Sequence, residues 1–150
     1  MSRYSEGMVA FERGDFQKAA ALFSAAIAGG DNVAGSLSKR GVCRLKWDDR
    51  VEAERDFRAA LAADDRCVSA MVNLGNLMLE RGRPDEAQVY YERALRIDET
   101  YAFAHYNLGV LHRKRGDLGA SIRELRLAAK YEAKPESVRK RLSWWSKKRT

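Results

Sequence analysis

Proline, cysteine and histidine are scarce in this chain: each occurs only twice in 150 residues. Few prolines leave long helices uninterrupted, and the abundant alanine, leucine, arginine and glutamate lose little side-chain freedom in a helix. The balance of 45% hydrophobic and 33% charged residues is that of a folded domain rather than a disordered chain. Together these features predict an all-α fold.

The two cysteines, Cys43 and Cys67, form neither a CxxC motif nor a metal-ligand spacing. That pattern excludes a disulfide framework and favours structural thiols in a reducing compartment. The chain opens Met-Ser-Arg-Tyr-Ser-Glu-Gly without an apolar signal core, and it lacks a run of about 18 apolar residues. We therefore expect a soluble, cytoplasmic protein.

Residues that could carry chemistry are equally sparse. We find no phosphate-binding glycine loop, zinc-hydrolase signature or nucleophile elbow. His105 and His112 lie seven residues apart on one predicted helix, about 10.5 Å along its axis, so one metal ion cannot bind both directly. We expect no enzymatic activity, no cofactor and no metal site.

Positive charge is concentrated at the end of the sequence. The net charge is +7, and residues 131–150 carry seven Lys or Arg against two Glu, so this segment supplies five of the seven net charges. A basic end can attract acidic peptides, nucleic acid or anionic lipid, and charge alone does not choose among them.

Four columns of residues recur every 34 positions, which is the signature of stacked helix pairs. The columns are Gly7, Gly41, Gly75 and Gly109; Ala19, Ala53, Ala87 and Ser121; Phe23, Phe57, Tyr91 and Leu125; and Ala26, Ala60, Ala94 and Ala128. Glycine inside a helix costs about 1 kcal/mol relative to alanine, so its recurrence needs a packing reason. We expect each glycine to approach the small alanine of the second helix, with the large residue filling the remaining space.

Helix ends follow from the turn residues. Gly14, Gly82 and Gly116 stand where a helix should end in a left-handed cap, whereas Trp47-Asp48-Asp49 replaces that turn and suggests a tighter or differently capped corner. The pattern predicts helices at 2–13, 16–28, 34–46, 49–62, 68–80, 84–97, 102–114, 118–131 and 136–147.

Two units, 68–101 and 102–135, resemble the tetratricopeptide repeat. The resemblance lies in Asn73-Leu74-Gly75-Asn76, Arg81-Gly82, Glu86-Ala87, Tyr90-Tyr91 and Ala94-Leu95, then in Tyr106-Asn107-Leu108-Gly109, Arg115-Gly116-Asp117 and Ala128. It implies an α-solenoid of four helix pairs, at 1–33, 34–67, 68–101 and 102–135, wound as a right-handed superhelix with a concave groove. Residues 136–150 continue the phase of a first helix, so we expect a basic capping helix and tail there.

The resemblance also implies which side chains line the groove, since the family takes them from the first helix of each pair. Near the start, Met8, Phe11 and Val42, with Glu12, Lys39 and Lys46, give the groove an apolar character with mixed charge. Towards the end we expect a peptide-binding set made of Asn73, Asn76, Phe103, Tyr106, Asn107, Val110, Lys140, Arg141 and Trp144. An amide can both donate to and accept from a peptide backbone, and the cations can pair with carboxylates.

Some family members clamp a C-terminal carboxylate with five Lys, Arg and Asn side chains. In this register Asn76, Asn107 and Arg141 fill three of those places, while Val72 and Ser137 replace the two lysines. We therefore expect a less strictly defined ligand, either an acidic segment or a C-terminal one.

The resulting functional hypothesis is a non-enzymatic adaptor or scaffold that binds a peptide or protein segment, acidic in character, in its groove. The alternative is a basic module that binds nucleic acid or anionic membrane through residues 139–149. Self-association through the end helices is a third possibility.

Overall fold

The computed structural model describes residues 1–132, and within that range it contains eight α-helices and no strand. They are α1 (Arg3–Glu12), α2 (Phe16–Ala28), α3 (Val33–Lys46), α4 (Arg50–Ala63), α5 (Val68–Glu80), α6 (Pro84–Ile97), α7 (Ala102–Lys114) and α8 (Leu118–Tyr131). Every end lies within one residue of the position that the repeat predicts. The expected ninth helix at 136–147, with its capping role, lies outside the described residues.

The helices stack in chain order as an α-solenoid. α1 packs on α2, α3 on α4, α5 on α6 and α7 on α8, and each second helix also packs on the next first helix. In addition, α3 contacts α5 and α5 contacts α7, while no comparable contact joins successive second helices in the described part of the chain. First helices therefore lie on the inner side of the stack.

The recurring glycine of each first helix faces the large side chain of its partner helix. A Cβ placed on Gly41 would lie 2.6 Å from the Phe57 ring, and one on Gly75 would lie 2.6 Å from the Tyr91 ring. Gly7 meets Phe23 and Gly109 meets Leu125 in the same way, at 2.7 Å. The large residue therefore fills the space beside each glycine as predicted, and it lies directly on the bare helix backbone. In the fourth unit the small column also contacts the glycine, because the Ser121 hydroxyl donates to the Gly109 carbonyl at 2.7 Å.

The aromatic and alanine columns form the interior. Phe23, Phe57 and Tyr91 have no exposed surface, and neither do the alanines of both alanine columns. One apolar cluster runs from α3 to α7, and a smaller one joins α1, α2 and Cys43. Because every pair uses the same columns, one packing solution is repeated along the stack.

The corner between α3 and α4 has the same turn as the glycine corners. Asp48 adopts φ 61°, close to φ 80° at Gly14, and its N–H donates to the Leu45 carbonyl at 3.0 Å. Asp49 then caps α4 by accepting from the Glu52 N–H at 3.3 Å. The expectation of a tighter or differently capped corner is therefore wrong, because an aspartate occupies the left-handed position instead.

The strained residue at this corner leads to a stability prediction. Asp48→Gly should raise the free energy of unfolding by about 0.5 to 1 kcal/mol, because glycine adopts a positive φ without a Cβ clash. The gain is limited by loss of the exposed ion pair between Asp48 and Arg50. Urea unfolding measures it. The neighbouring variant Asp49→Gly should instead lower the free energy of unfolding by a few tenths of a kcal/mol, because it removes the cap of α4. An Asp48→Gly variant less stable than the unsubstituted protein would show that Asp48 is not strained.

The contact between glycine and ring leads to a second prediction. Gly41→Ala should destabilise the fold by about 1 to 2 kcal/mol, because overpacking against the fully buried Phe57 exceeds the helix-propensity gain of alanine. Gly119→Ala is the matched control: Gly119 is exposed on α8, and a Cβ there meets only ordinary contacts at 3.6 and 3.8 Å. It should gain up to about 1 kcal/mol. Urea midpoints that shift in the same direction for both variants would contradict this packing.

Candidate functional site

Six of the nine residues predicted to bind a ligand lie on two adjacent first helices. Asn73 and Asn76 belong to α5, and the other four, Phe103, Tyr106, Asn107 and Val110, belong to α7. All six are partly exposed, Phe103 most of all at 40%, and α5 packs directly on α7. Lys140, Arg141 and Trp144 lie outside the described residues.

Asn76 has a role inside its own repeat. Its Oδ1 accepts a hydrogen bond from the Tyr91 hydroxyl at 2.5 Å. Tyr91 is fully buried against Gly75, and burial, together with the charge of Glu80, raises the pKa of its hydroxyl well above the ordinary value. The Oδ1 atom of Asn76 therefore helps to hold α5 against α6, and only its Nδ2 group is left for a ligand.

The repeat contains a signal for this pairing that sequence reasoning missed. In the second unit the corresponding residues are Val42 and Phe57, which carry no polar atom on their side chains. The third unit has Asn76 where Val42 stands and Tyr91 where Phe57 stands. A hydroxyl and an amide that appear together in one unit indicate an internal hydrogen bond.

The other two amides differ in how they are held. Asn73 donates from Nδ2 to the Ser69 carbonyl at 2.8 Å, one turn earlier on α5. Asn107 is half-exposed, and its side chain has no hydrogen-bond partner among residues 1–132. Of the three asparagines, Asn107 is the one with both amide groups open to a ligand.

A second polar and aromatic group lies at the opposite end of the inner surface. The Lys39 ammonium of α3 is 4.9 Å from the centre of the Phe11 ring, and the Lys46 ammonium is 5.2 Å from the centre of the Phe16 ring. The two rings contact each other edge-on at 5.3 Å. Burial lowers the pKa of Lys39, against the opposing effects of Cys43 and Glu12. The repeat register predicts a shared surface for Phe11, Lys39 and Lys46, but it predicts neither the part played by Phe16 nor these contacts.

Other charged residues hold neighbouring helices together, both within a repeat and between repeats. Asp56 is buried and accepts hydrogen bonds from Arg40 at 3.0 and 2.9 Å, and Arg44 lies 2.9 Å from the same carboxylate. Arg81 donates two hydrogen bonds to Glu54 on the preceding helix, at 2.9 and 3.2 Å, and they lower the pKa of Glu54. These groups are satisfied within the fold.

One of the two histidines and one of the two cysteines are held inside the fold. His105 is buried, with Nδ1 2.7 Å from Glu124 Oε2, Nε2 2.7 Å from the Glu99 carbonyl, and its ring stacked on Tyr131. Burial raises the pKa of the Cys43 thiol to about 11, so it is protonated at neutral pH. Within residues 1–132, His, Cys, Asp and Glu form no group of three able to hold a metal ion. No helix in that range is long and apolar enough to cross a membrane.

Comparison with known families identifies the repeat. A profile described as TPR repeat matches residues 75–116, and one described as Tetratricopeptide repeat matches residues 2–43. Comparison with curated proteins gives no match.

Solved structures show the same fold at low sequence identity. The chain is similar to PilF of Pseudomonas aeruginosa, with TM-score 0.75 and 20% identity over 91% of this chain and 62% of that one. A thermophilic TPR protein of Thermus thermophilus gives TM-score 0.72 and 20% identity, over 89% and 75% of the two chains. The protein MamA gives 0.62 and 20%, over 84% and 74%.

The bond between Asn76 and Tyr91 can be tested with a double-mutant cycle. Asn76→Val should cost about 1 to 3 kcal/mol, because it leaves a buried hydroxyl without an acceptor. Tyr91→Phe should cost less, since the half-exposed Asn76 can turn to water. The double variant recreates the pair Phe57 and Val42 of the second unit, so it should recover most of the loss. Urea unfolding gives the coupling energy, and strictly additive losses would show that the two side chains do not interact.

Proposed function

The chain belongs to the tetratricopeptide repeat family, and on that premise we propose that it is a non-enzymatic module that binds an acidic peptide or protein segment in its concave groove. Tetratricopeptide repeats generally mediate protein–protein interaction and are typically scaffolds. A solenoid whose first helices line the inner side presents an extended surface suited to a long, narrow ligand.

The proposal rests chiefly on the open side-chain amide of Asn107. Its amide is half-exposed on α7 and has no partner among the described residues, so it can both donate to and accept from a peptide unit. Val110 lies one turn further along the same helix and is also half-exposed. An open amide next to an apolar side chain suits a peptide whose backbone is held by hydrogen bonds and whose side chain is covered.

Asn73 and Asn76 take a smaller part in this proposal than their sequence positions predict. Asn73 uses Nδ2 and Asn76 uses Oδ1 within the fold, so each offers a ligand only its remaining amide group. Phe103 supplies exposed aromatic surface near the start of α7 and is packed against Tyr101 at 5.8 Å between ring centres. The proposed site therefore centres on α7.

Charge supports the acidic character of the ligand. Five of the seven net positive charges lie in residues 131–150, and Lys39 and Lys46 add two cations on α3, one of the inner helices. A positive surface favours an acidic partner and speeds its approach. Lys140 and Arg141, outside the described residues, are proposed to add to this attraction, and Trp144 to cover an apolar side chain.

A matched pair of valine variants tests the groove. The immobilised chain is treated with nuclease and used at about 150 mM salt to recover a partner, whose affinity is then measured by calorimetry. Val110→Glu should weaken binding by about tenfold or more, because it places a charge where an apolar contact is expected. Val89→Glu makes the same change on α6, where Val89 is 59% exposed, and should leave affinity unchanged.

The opposite pattern would contradict the proposal. Loss with Val89→Glu and none with Val110→Glu would place binding on the outer helices. Binding that disappears with nuclease treatment, or that falls by orders of magnitude between about 50 and 200 mM salt, would favour the nucleic-acid or membrane alternative.

A further inference from the structure

Two lysines of α3 rest on two phenylalanine rings of the first helix pair. Lys39 lies over Phe11, Lys46 lies over Phe16, and the two rings touch edge-on. The four side chains therefore contact one another in the order cation, ring, ring, cation. Lys39 and Lys46 are seven residues apart on a helix, which places them on one face with about 10.5 Å between their Cα atoms along the axis.

Neither lysine is neutralised by the fold. Among residues 1–132, no carboxylate oxygen lies within 4 Å of either ammonium group. Glu12 of α1 attracts Lys39 without an ion pair, and Lys46 is exposed. Every other buried or half-buried charge described above has a close partner, as Asp56 has in Arg40. Lys39 therefore bears a cost of burial that an incoming anion would offset.

Apolar side chains lie beside the two cations. Val42 lies between Lys39 and Lys46 on the same face of α3 and is half-exposed. Met8 precedes Phe11 by three residues on α1, and both are half-exposed. A ligand that reaches both ammonium groups must cross this apolar strip.

We propose that Lys39 and Lys46, with Phe11 and Val42 between them, form a subsite for an extended peptide that carries two carboxylates separated by apolar residues. A chain in the polyproline II conformation has three residues per turn and advances about 3.1 Å per residue. Acidic residues three positions apart then point to the same side and lie about 9.3 Å apart, close to the separation of the two lysines along α3. Each ammonium keeps its N–H groups for a carboxylate while its stem packs on the ring. This inference rests on the proposed function, and it adds the α1 and α3 end of the groove to the surface on α7.

Selection from a random peptide library displayed on phage tests the subsite directly. The probe is immobilised full-length chain, and the expected result is enrichment of peptides with two Asp or Glu three positions apart and apolar residues between them. The strongest peptide is then synthesised and its affinity measured. Lys39→Met and Lys46→Met keep the side-chain stem on each ring, so the fold should survive, and each should weaken binding by about tenfold.

Lys18→Met is the matched control. Lys18 is exposed on α2, and its replacement removes one positive charge without touching either ring. At about 150 mM salt its effect should stay below about twofold.

The outcomes separate this inference from the proposed function. Selected peptides without paired acids, or equal loss with Lys18→Met and Lys39→Met, would overturn the subsite while leaving groove binding intact. Failure to select any peptide would count against both. Tighter binding of an oligonucleotide than of the acidic peptide, with the same dependence on Lys39, would overturn the assignment to a peptide.

Discussion

The close contact between a helix glycine and a large side chain of the partner helix governs this structure. At Gly41 and Gly75 the space for a Cβ is already occupied by a ring, at 2.6 Å. Because the ring rests on bare backbone, each pair of helices has one approach and one register. Each second helix then packs on the next first helix, which fixes the inner side of the stack. The groove is therefore a consequence of how each pair closes.

Polar residues that enter the packed seams have partners within the fold, and three of them have one in the same repeat. Tyr91 has Asn76, and Asp56 has Arg40. His105 has Glu124. Each pairing satisfies a group that would otherwise be costly to bury. Against that pattern, Asn107 and Lys39 stand out, because neither side chain has a hydrogen-bond or ion-pair partner among residues 1–132.

The 34-residue columns were enough to predict the helices and their order. Glycine and aspartate at the corners mark ends that the structure places within one residue, because caps depend on local chemistry. The columns predicted that a small and a large residue of the second helix meet at each glycine. They could not show that the large one lies nearest, because a period gives positions along a helix and not distances between helices. The left-handed conformation of Asp48 was missed for a related reason. The corner keeps the same backbone turn as the glycine corners, although a non-glycine residue occupies the position with positive φ.

The candidate site was less accessible to sequence reasoning than the fold. Positions such as Asn73 and Asn107 are equivalent in the repeat, yet only the structure shows that the Asn73 Nδ2 group is bound to Ser69. The contacts of Lys39 and Lys46 with their rings join different helices. The spacing of residues along one helix cannot predict such distances. Register therefore predicted where the inner surface lies, and side-chain contacts determined which of its groups remain open.

Methyl-resolved NMR with an acidic peptide tests most directly whether the first helices form the binding surface. The inner helices carry methyl groups at Met8, Val42, Leu79 and Val110, and the outer helices carry exposed ones at Val51, Val89, Leu118 and Ile122. We expect the peptide to shift the inner set and leave the outer set unchanged. Shifts confined to the outer set would contradict the account, because the surface formed by the glycine-to-ring packing would then not be the one that binds.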